Sequence, residues 1–199
     1  MFRKEAAWIA DRLKTMGAAD IGPIVNIGSS TDRFRTVQQP WIDEVLFNPL
    51  SKRDVRVVHL DLKEAEGVDL IADILSEEGF SAAKAVRPRT VLLCNVLEHV
   101  HDPARVAQRA FDLVEDGGRM FVSVPRSYPH HPDPFDTMFR PTPQEVAALV
   151  PQASLAEGEI LPTGYHWQEV LRGERHLLRK RARWLFFPYK VTMAVLHKR

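Results

Sequence analysis

One cysteine stands in 199 residues, Cys94, and it falls inside an apolar run. A lone thiol excludes an internal disulfide and suits a reducing compartment. No apolar stretch reaches the roughly 18 residues needed to cross a bilayer. The opening Met1-Phe-Arg-Lys-Glu-Ala-Ala-Trp8 carries no signal-peptide core, so a soluble cytoplasmic protein is expected. Excess charge of either sign is missing: 27 basic against 26 acidic residues leave a formal +1. Whole-molecule electrostatics therefore supply no pull toward nucleic acid or anionic membrane, and neither is expected as an obligatory partner. Low-complexity spacers are absent, and 45% hydrophobic content suffices for one substantial core, so residues 1–199 are expected to form a single domain. Nor is there a Gly-x-Gly-x-x-Gly to cradle a pyrophosphate, which argues against a nicotinamide enzyme.

What the chain does have is short apolar runs alternating with helical periodicities. Ala6, Ile9, Ala10, Leu13 and Met16 recur at helical spacing, with Arg3, Lys4, Asp11, Arg12 and Lys14 opposite. An amphipathic helix over 3–16, stopped by Gly17, is expected to cover a face or edge of a sheet. Ile24 to Ile27 reads as a first strand, and Gly28-Ser29-Ser30-Thr31 as a small-residue turn where backbone can pass close to a ligand. Residues 32–39 show no clean period, and Pro40 opens a helix bearing Trp41, Val45, Leu46 and Leu50. Further strands are expected at Val55 to Leu60, ended by Asp61, and at Leu70-Ile71, just before Asp73, followed by a helix over 77–86. Val91 to Cys94 is apolar throughout, as a central strand buried on both faces must be. Asp102-Pro103 supplies an N-cap and first-turn proline for a helix to Val114, and 119–124 is a fifth strand after Gly117-Gly118. Strand alternating with helix implies an α/β, doubly wound parallel sheet.

In such a sheet, ligands sit just past the carboxyl ends of the strands. Asn95, Glu98, His99 and His101 follow strand 91–94 directly, which marks this edge as the functional one. Pro125 to Thr142 is the longest irregular segment, kept so by its prolines. Its aromatics and histidines favour a substrate-facing lid, with Tyr128, His130, His131, Phe139 and Arg140 as contacts and a histidine able to take an acceptor's proton. His130, His131, Asp133 and Asp136 have metal-ligand chemistry, but their spacing matches no zinc pattern; a metal and plain packing stay open behind the lid, and no metal is expected. Thr142-Pro143-Gln144-Glu145 is a capping box opening a helix to Val150. A sixth strand over 154–161, a basic helix over 173–187 and a last strand over 191–196 complete the chain. The basic helix is read as a solvated face; contact with a membrane surface or RNA is the less favoured alternative.

These residues together resemble a known family. The small-residue turn, the acid closing the second strand, L-L-C-N-V-L-E-H-V-H-D-P, and G-G-R-M-F-V-S-V-P look like a class I S-adenosylmethionine-dependent methyltransferase. The nearest group is the small-molecule branch, including members that accompany glycosyltransferases and carry a similar H-P-D-P-x-D-T-M-F-R-P-T segment; the likeness spans 24–150. It implies a Rossmann-like sheet of seven mostly parallel strands with the last antiparallel, and S-adenosylmethionine as cofactor. By position, Asn26, Gly28, Ser29 and Ser30 would face the methionine portion, and Asp61 would take the ribose hydroxyls. Asp73 would lie near the adenine, with Asn95 and Glu98 beside the methionyl part and methyl donor. His99, His130 and His131 are the catalytic candidates. The expected reaction moves a methyl group to an oxygen, less readily a nitrogen, of a small molecule or saccharide. Where the family turn reads acid, then Gly-x-Gly-x-Gly, this chain has Asn26-Ile-Gly28-Ser-Ser-Thr31. That departure supports the competing reading, a catalytically silent copy of the fold that binds partners.

Overall fold

The computed structural model describes residues 1–131, 135–165 and 188–199. In chain order the elements are α1 (Arg3–Lys14), α2 (Ala18–Ile21), β1 (Ile24–Ile27), α3 (Asn48–Ser51), β2 (Val57–Asp61), β3 (Leu70–Ile71), α4 (Glu77–Lys84) and β4 (Thr90–Cys94). They continue with α5 (Pro103–Leu113), β5 (Arg119–Ser127), α6 (Pro143–Ala148), β6 (Ser154–Tyr165) and β7 (Pro188–His197). Wide helical turns at Phe34–Gln38 and Asp43–Phe47 lead into α3. The strands form one seven-stranded sheet in the order β3-β2-β1-β4-β5-β7-β6. All neighbours pair in parallel except β7, which runs antiparallel to both β5 and β6. The expected doubly wound, seven-stranded architecture with its last strand reversed is thus the one observed.

Alternation along the central strands builds two cores. Val91 and Leu93 of β4 point to one face, where α4, α5 and α6 bring Ala83, Val106, Ala110, Phe111 and Val146. Leu92 and Cys94 point to the other, where α1 and residues 41–50 bring Ile9, Leu13, Leu46 and Leu50. All five residues of β4 are buried, as the unbroken apolar run requires. Each large apolar side chain so enclosed contributes about 1.5–3 kcal/mol. Register places Ile27 opposite both Leu60 and Leu93. Gly28, Asp61 and Asn95 therefore emerge side by side at the carboxyl edge, where strand order reverses between β1 and β4.

Several expected boundaries move. The second strand begins at Val57 rather than Val55 and includes Asp61, because Asp54, with φ +56°, turns the chain just beforehand. The segment without a clean period, 32–39, contains a helical turn ordered by the buried Arg35 rather than by apolar spacing. β5 continues to Ser127, into the segment expected to be irregular; Pro125 is accommodated beside a register shift, one of the few sheet positions open to proline. β6 and β7 exceed their expected lengths because they pair with each other over most of their span. The basic helix expected over 173–187 lies outside the described residues. Among the described residues no helix is long and apolar enough to cross a membrane.

Candidate active site at the carboxyl edge of the sheet

The turn after β1 is held from both sides. Gly28 has φ +70°, and a Cβ there would lie 2.6 Å from Val96 Cγ2, so this position requires glycine. Ser30 also sits in the left-handed region, φ +56°, a conformation that costs about 1–2 kcal/mol for a residue with a Cβ. It is held there by Asp61, whose Oδ2 accepts the Ser30 N–H at 2.8 Å while Oδ1 accepts the Lys63 N–H at 3.2 Å. From the other side the Arg35 guanidinium donates to the carbonyls of Ser29 (2.9 Å), Ser30 (2.8 Å) and Gly67 (2.7 Å). The Ser29 N–H in turn reaches Leu60 O at 3.0 Å.

Asn26 explains its own departure from the family pattern. It is buried, and its Nδ2 pairs with His59 Nδ1 at 3.1 Å. Burial, reinforced by the Arg35 charge, pushes the His59 pKa down to about 4, so the ring is neutral and its Nδ1 lone pair accepts the amide N–H. A carboxylate at position 26 would instead require the ring to carry its proton on Nδ1. The His59 ring also packs edge-on against Phe47 at 4.8 Å.

At the end of β4, Asn95 takes φ +54°, which asparagine tolerates better than most residues. Its Nδ2 donates to Glu5 Oε1 at 2.7 Å; Ser123 Oγ donates to the same oxygen at 2.5 Å, and the Phe2 N–H to Oε2 at 3.0 Å. Glu5 is fully buried. The expected N-terminal helix therefore does more than cover a face, since it carries a carboxylate to the functional edge. Sequence reading overlooked Glu5, although it shares one i, i+4 row with Ile9 and Leu13, and an acid inside an apolar stripe is the available signal. Arg35, His59 and Ser123 were also missed: His59 and Ser123 have partners far away in sequence, and Arg35 lies in a segment without a clean period. Cys94, raised to about 12 by burial, with the Glu5 charge adding, is an inert thiol rather than a nucleophile.

Glu98 belongs to the single turn Leu97–His99 and is fully buried. Neither of its carboxylate oxygens has a hydrogen-bond partner among the described residues. Burial pushes its pKa up to about 8. The 125–142 loop docks over this turn: Thr137 donates N–H (2.9 Å) and Oγ1 (3.1 Å) to Glu98 O, His99 Nδ1 bonds Phe135 O, and the Phe135 ring stacks on His101 at 4.9 Å. From the loop His131 meets His99 edge-on at 5.2 Å and Tyr128 at 5.1 Å. Its Nδ1 lies 3.0 Å from Asp136 Oδ2. Burial, opposed by Asp136, holds the His131 pKa below its ordinary value. Burial would raise Asp136, but hydrogen bonds from Arg140 and the Met138 N–H outweigh it and keep the carboxyl well below the usual range.

The structure thus brings together Asn26, Gly28, Ser29, Ser30 and Asp61 on one side, and Asn95, Glu98, His99, His131 and Tyr128 on the other. His130 is exposed and stands outside the latter group. Arg140 is committed to Asp136, its Nη1 and Nη2 reaching the two carboxylate oxygens at 3.0 and 2.5 Å, and Phe139 packs on the core, so both serve to shape the loop. Asp73 is exposed and accepts the Leu75 N–H at 2.8 Å in a local turn.

Residues 18–157 match the family model described as a methyltransferase domain. The chain belongs to that family, and its fold is the class I S-adenosylmethionine-dependent one. No curated protein matches the sequence. Among solved structures it is similar to 1,6-didemethyltoxoflavin-N1-methyltransferase of Burkholderia thailandensis, with 15% identity, TM-score 0.56, and coverage of 98% of this chain and 77% of that one. The [4+2]-cyclase SpnF gives 12%, 0.54, 96% and 80% for the same measures. A 16S rRNA (adenine(1408)-N(1))-methyltransferase from Catenulisporales acidiphilia gives 13%, 0.50, 95% and 91%. At such identities the likeness is one of fold, and the three names span different acceptors and reactions.

Proposed function

We propose that the protein transfers the methyl group of S-adenosylmethionine to an oxygen of a small molecule or saccharide. The observation that carries this reading is the pairing of a rigid turn, Gly28 to Ser30 clamped by Asp61 and Arg35, with a buried Glu98, His99 and His131 on the far side of the same edge. The turn and Asp61 hold the cofactor, Asp61 accepting the ribose hydroxyls on the lone pairs it does not spend on Ser30 and Lys63. Asn95 and Glu98 border the methyl donor and offer oxygen acceptors toward its sulfonium. Tyr128, with the loop, borders the acceptor. The chain's main contribution is alignment, with acceptor oxygen and methyl carbon in line at about 3 Å. As the C–O bond forms, the C–S bond breaks with its electron pair remaining on sulfur. The hydroxyl proton leaves to the imidazole of His131 or His99. Oxygen is favoured over nitrogen because an alcohol must lose its proton as the bond forms, whereas a neutral amine attacks through its own lone pair and loses a proton afterwards. The similarity to an N-methyltransferase and to an rRNA methyltransferase keeps the acceptor class a matter for experiment.

Calorimetric titration of the full chain with S-adenosylmethionine and S-adenosylhomocysteine tests this reading, followed by methyl-transfer assays on hydroxyl acceptors beginning with glycosides. Micromolar binding, weakened about 100-fold in Asp61→Ala for the loss of charge-assisted bonds, is expected. No binding by the folded protein would replace this reading with that of a silent scaffold.

A further inference from the structure

Glu98, His99 and His131 reach one another from two separate parts of the chain, and one donor atom from each lies within 4.8 Å of the other two. Sequence spacing had grouped His131 with His130, Asp133 and Asp136 instead; His130 faces solvent, and Asp133 lies outside the described residues.

Two features set the trio apart from a chance cluster. The first is the Glu98 carboxylate, fully buried with both oxygens unpartnered among the described residues. Native proteins rarely leave such a group uncompensated. The second is the state of the two imidazoles. His99 Nδ1 contacts the Phe135 carbonyl, and His131 Nδ1 contacts Asp136 Oδ2 at 3.0 Å and the Pro129 carbonyl at 3.4 Å. These partners only accept, so Nδ1 of each ring donates and Nε2 is the nitrogen left for a ligand. For His99 it is Nε2 that stands 3.7 Å from Glu98 Oε1. A carbonyl or carboxylate behind the far nitrogen is how metal-binding histidines are oriented. Asp136 is itself fixed by Arg140, so the support extends one layer further.

We propose that Glu98, His99 and His131 bind a divalent first-row transition ion. Two imidazoles and one carboxylate suit Zn²⁺, Fe²⁺ or Co²⁺ better than Mg²⁺ or Ca²⁺, which prefer oxygen throughout. With ligand bonds of about 2.0–2.2 Å, donors around such an ion stand about 3–3.5 Å apart. The Glu98–His99 pair at 3.7 Å is nearly there, and a separation of 4.8 Å must close by about 1.3–1.8 Å. Three protein ligands leave a position open. The role of that position rests on the methyl-transfer reading: an acceptor hydroxyl coordinates there and gives up its proton to water more readily, so the ion takes over from the histidine base.

The test is titration of Co²⁺ into the chelator-treated full chain, followed by visible ligand-field absorption and calorimetry, with S-adenosylhomocysteine titrated in parallel. One Co²⁺ per chain at micromolar affinity is expected. Glu98→Gln and His131→Ala should each weaken it more than tenfold with the wild-type circular-dichroism spectrum kept, and Asp136→Asn by about tenfold, the usual effect of removing an orienting carboxylate. Absence of stoichiometric Co²⁺ binding by the folded chain, or equal affinity in Glu98→Gln and His131→Ala, would overturn the site. Tight Co²⁺ binding without S-adenosylhomocysteine binding would uphold the site and overturn the methyl-transfer reading instead.

Discussion

Around the turn after β1, the polar groups are engaged with one another: Asp61 with Ser30, Arg35 with the carbonyls of Ser29 and Ser30, Asn26 with His59. At the end of β4 the accounting differs, for Glu98 is buried without a hydrogen-bond partner among the described residues, and His99 and His131 stand beside it. The first region resembles a preorganised receptor, whose geometry is complete before any ligand arrives. The second holds unspent capacity, and a fold keeps a buried carboxylate in that state at a cost in stability. Between them stands Asn95, whose amide is anchored by Glu5 from α1.

That contrast can be broken most forcefully at its anchor. Glu5→Ala strips the acceptor from Asn95, Ser123 and the Phe2 N–H at once. A loss of about 3 kcal/mol in urea unfolding is expected, since three hydrogen bonds are removed at about 1 kcal/mol each and the Ser123 hydroxyl left behind is buried. A loss well under 1 kcal/mol would show that the edge does not depend on α1.

A comparable effect tests the satisfied side through pH. His59 titrates near 6.5 when unfolded and at about 4 when folded. Between those values the unfolded chain binds the proton and the native one does not. The contribution is therefore whole above pH 6.5 and is lost as pH falls toward 4, by about 3 kcal/mol in all. His59→Gln should flatten this part of the stability–pH profile; an unchanged slope would assign it to other groups.

The smallest effect has the opposite sign. In metal-free buffer, Glu98→Gln replaces an uncompensated acid with a neutral amide of equal size and should raise stability by about 1 kcal/mol, read as a higher melting temperature. A destabilised variant would mean that Glu98 is already compensated, and the contrast between the two regions would disappear.

Much of this was legible beforehand, unevenly. The all-apolar run Val91 to Cys94 could only be a central strand, and Asp102-Pro103 and Thr142-Pro143 could only open helices, because caps and burial are local or nearly local in sequence. Asp61, Glu98 and His99 were singled out from their place at the ends of strands, and the structure puts them at the carboxyl edge of the sheet. Glu5 and Ser123 were not, since each acts through a partner that the fold brings near; they are 118 positions apart. Phe139 and Arg140 illustrate the converse, for their residue types suggested substrate contact whereas packing on the core and pairing with Asp136 occupy them.

By itself the sequence determined the alternation of strands and helices, the two faces of the sheet and the edge at which function gathers, because periodicity and strand ends are written in neighbouring residues. Only the tertiary structure decided which polar groups would be satisfied and which left unspent. Burial and hydrogen bonding at Asn26, Glu5 and Glu98 depend on what other elements carry to them, and no neighbouring residue records that.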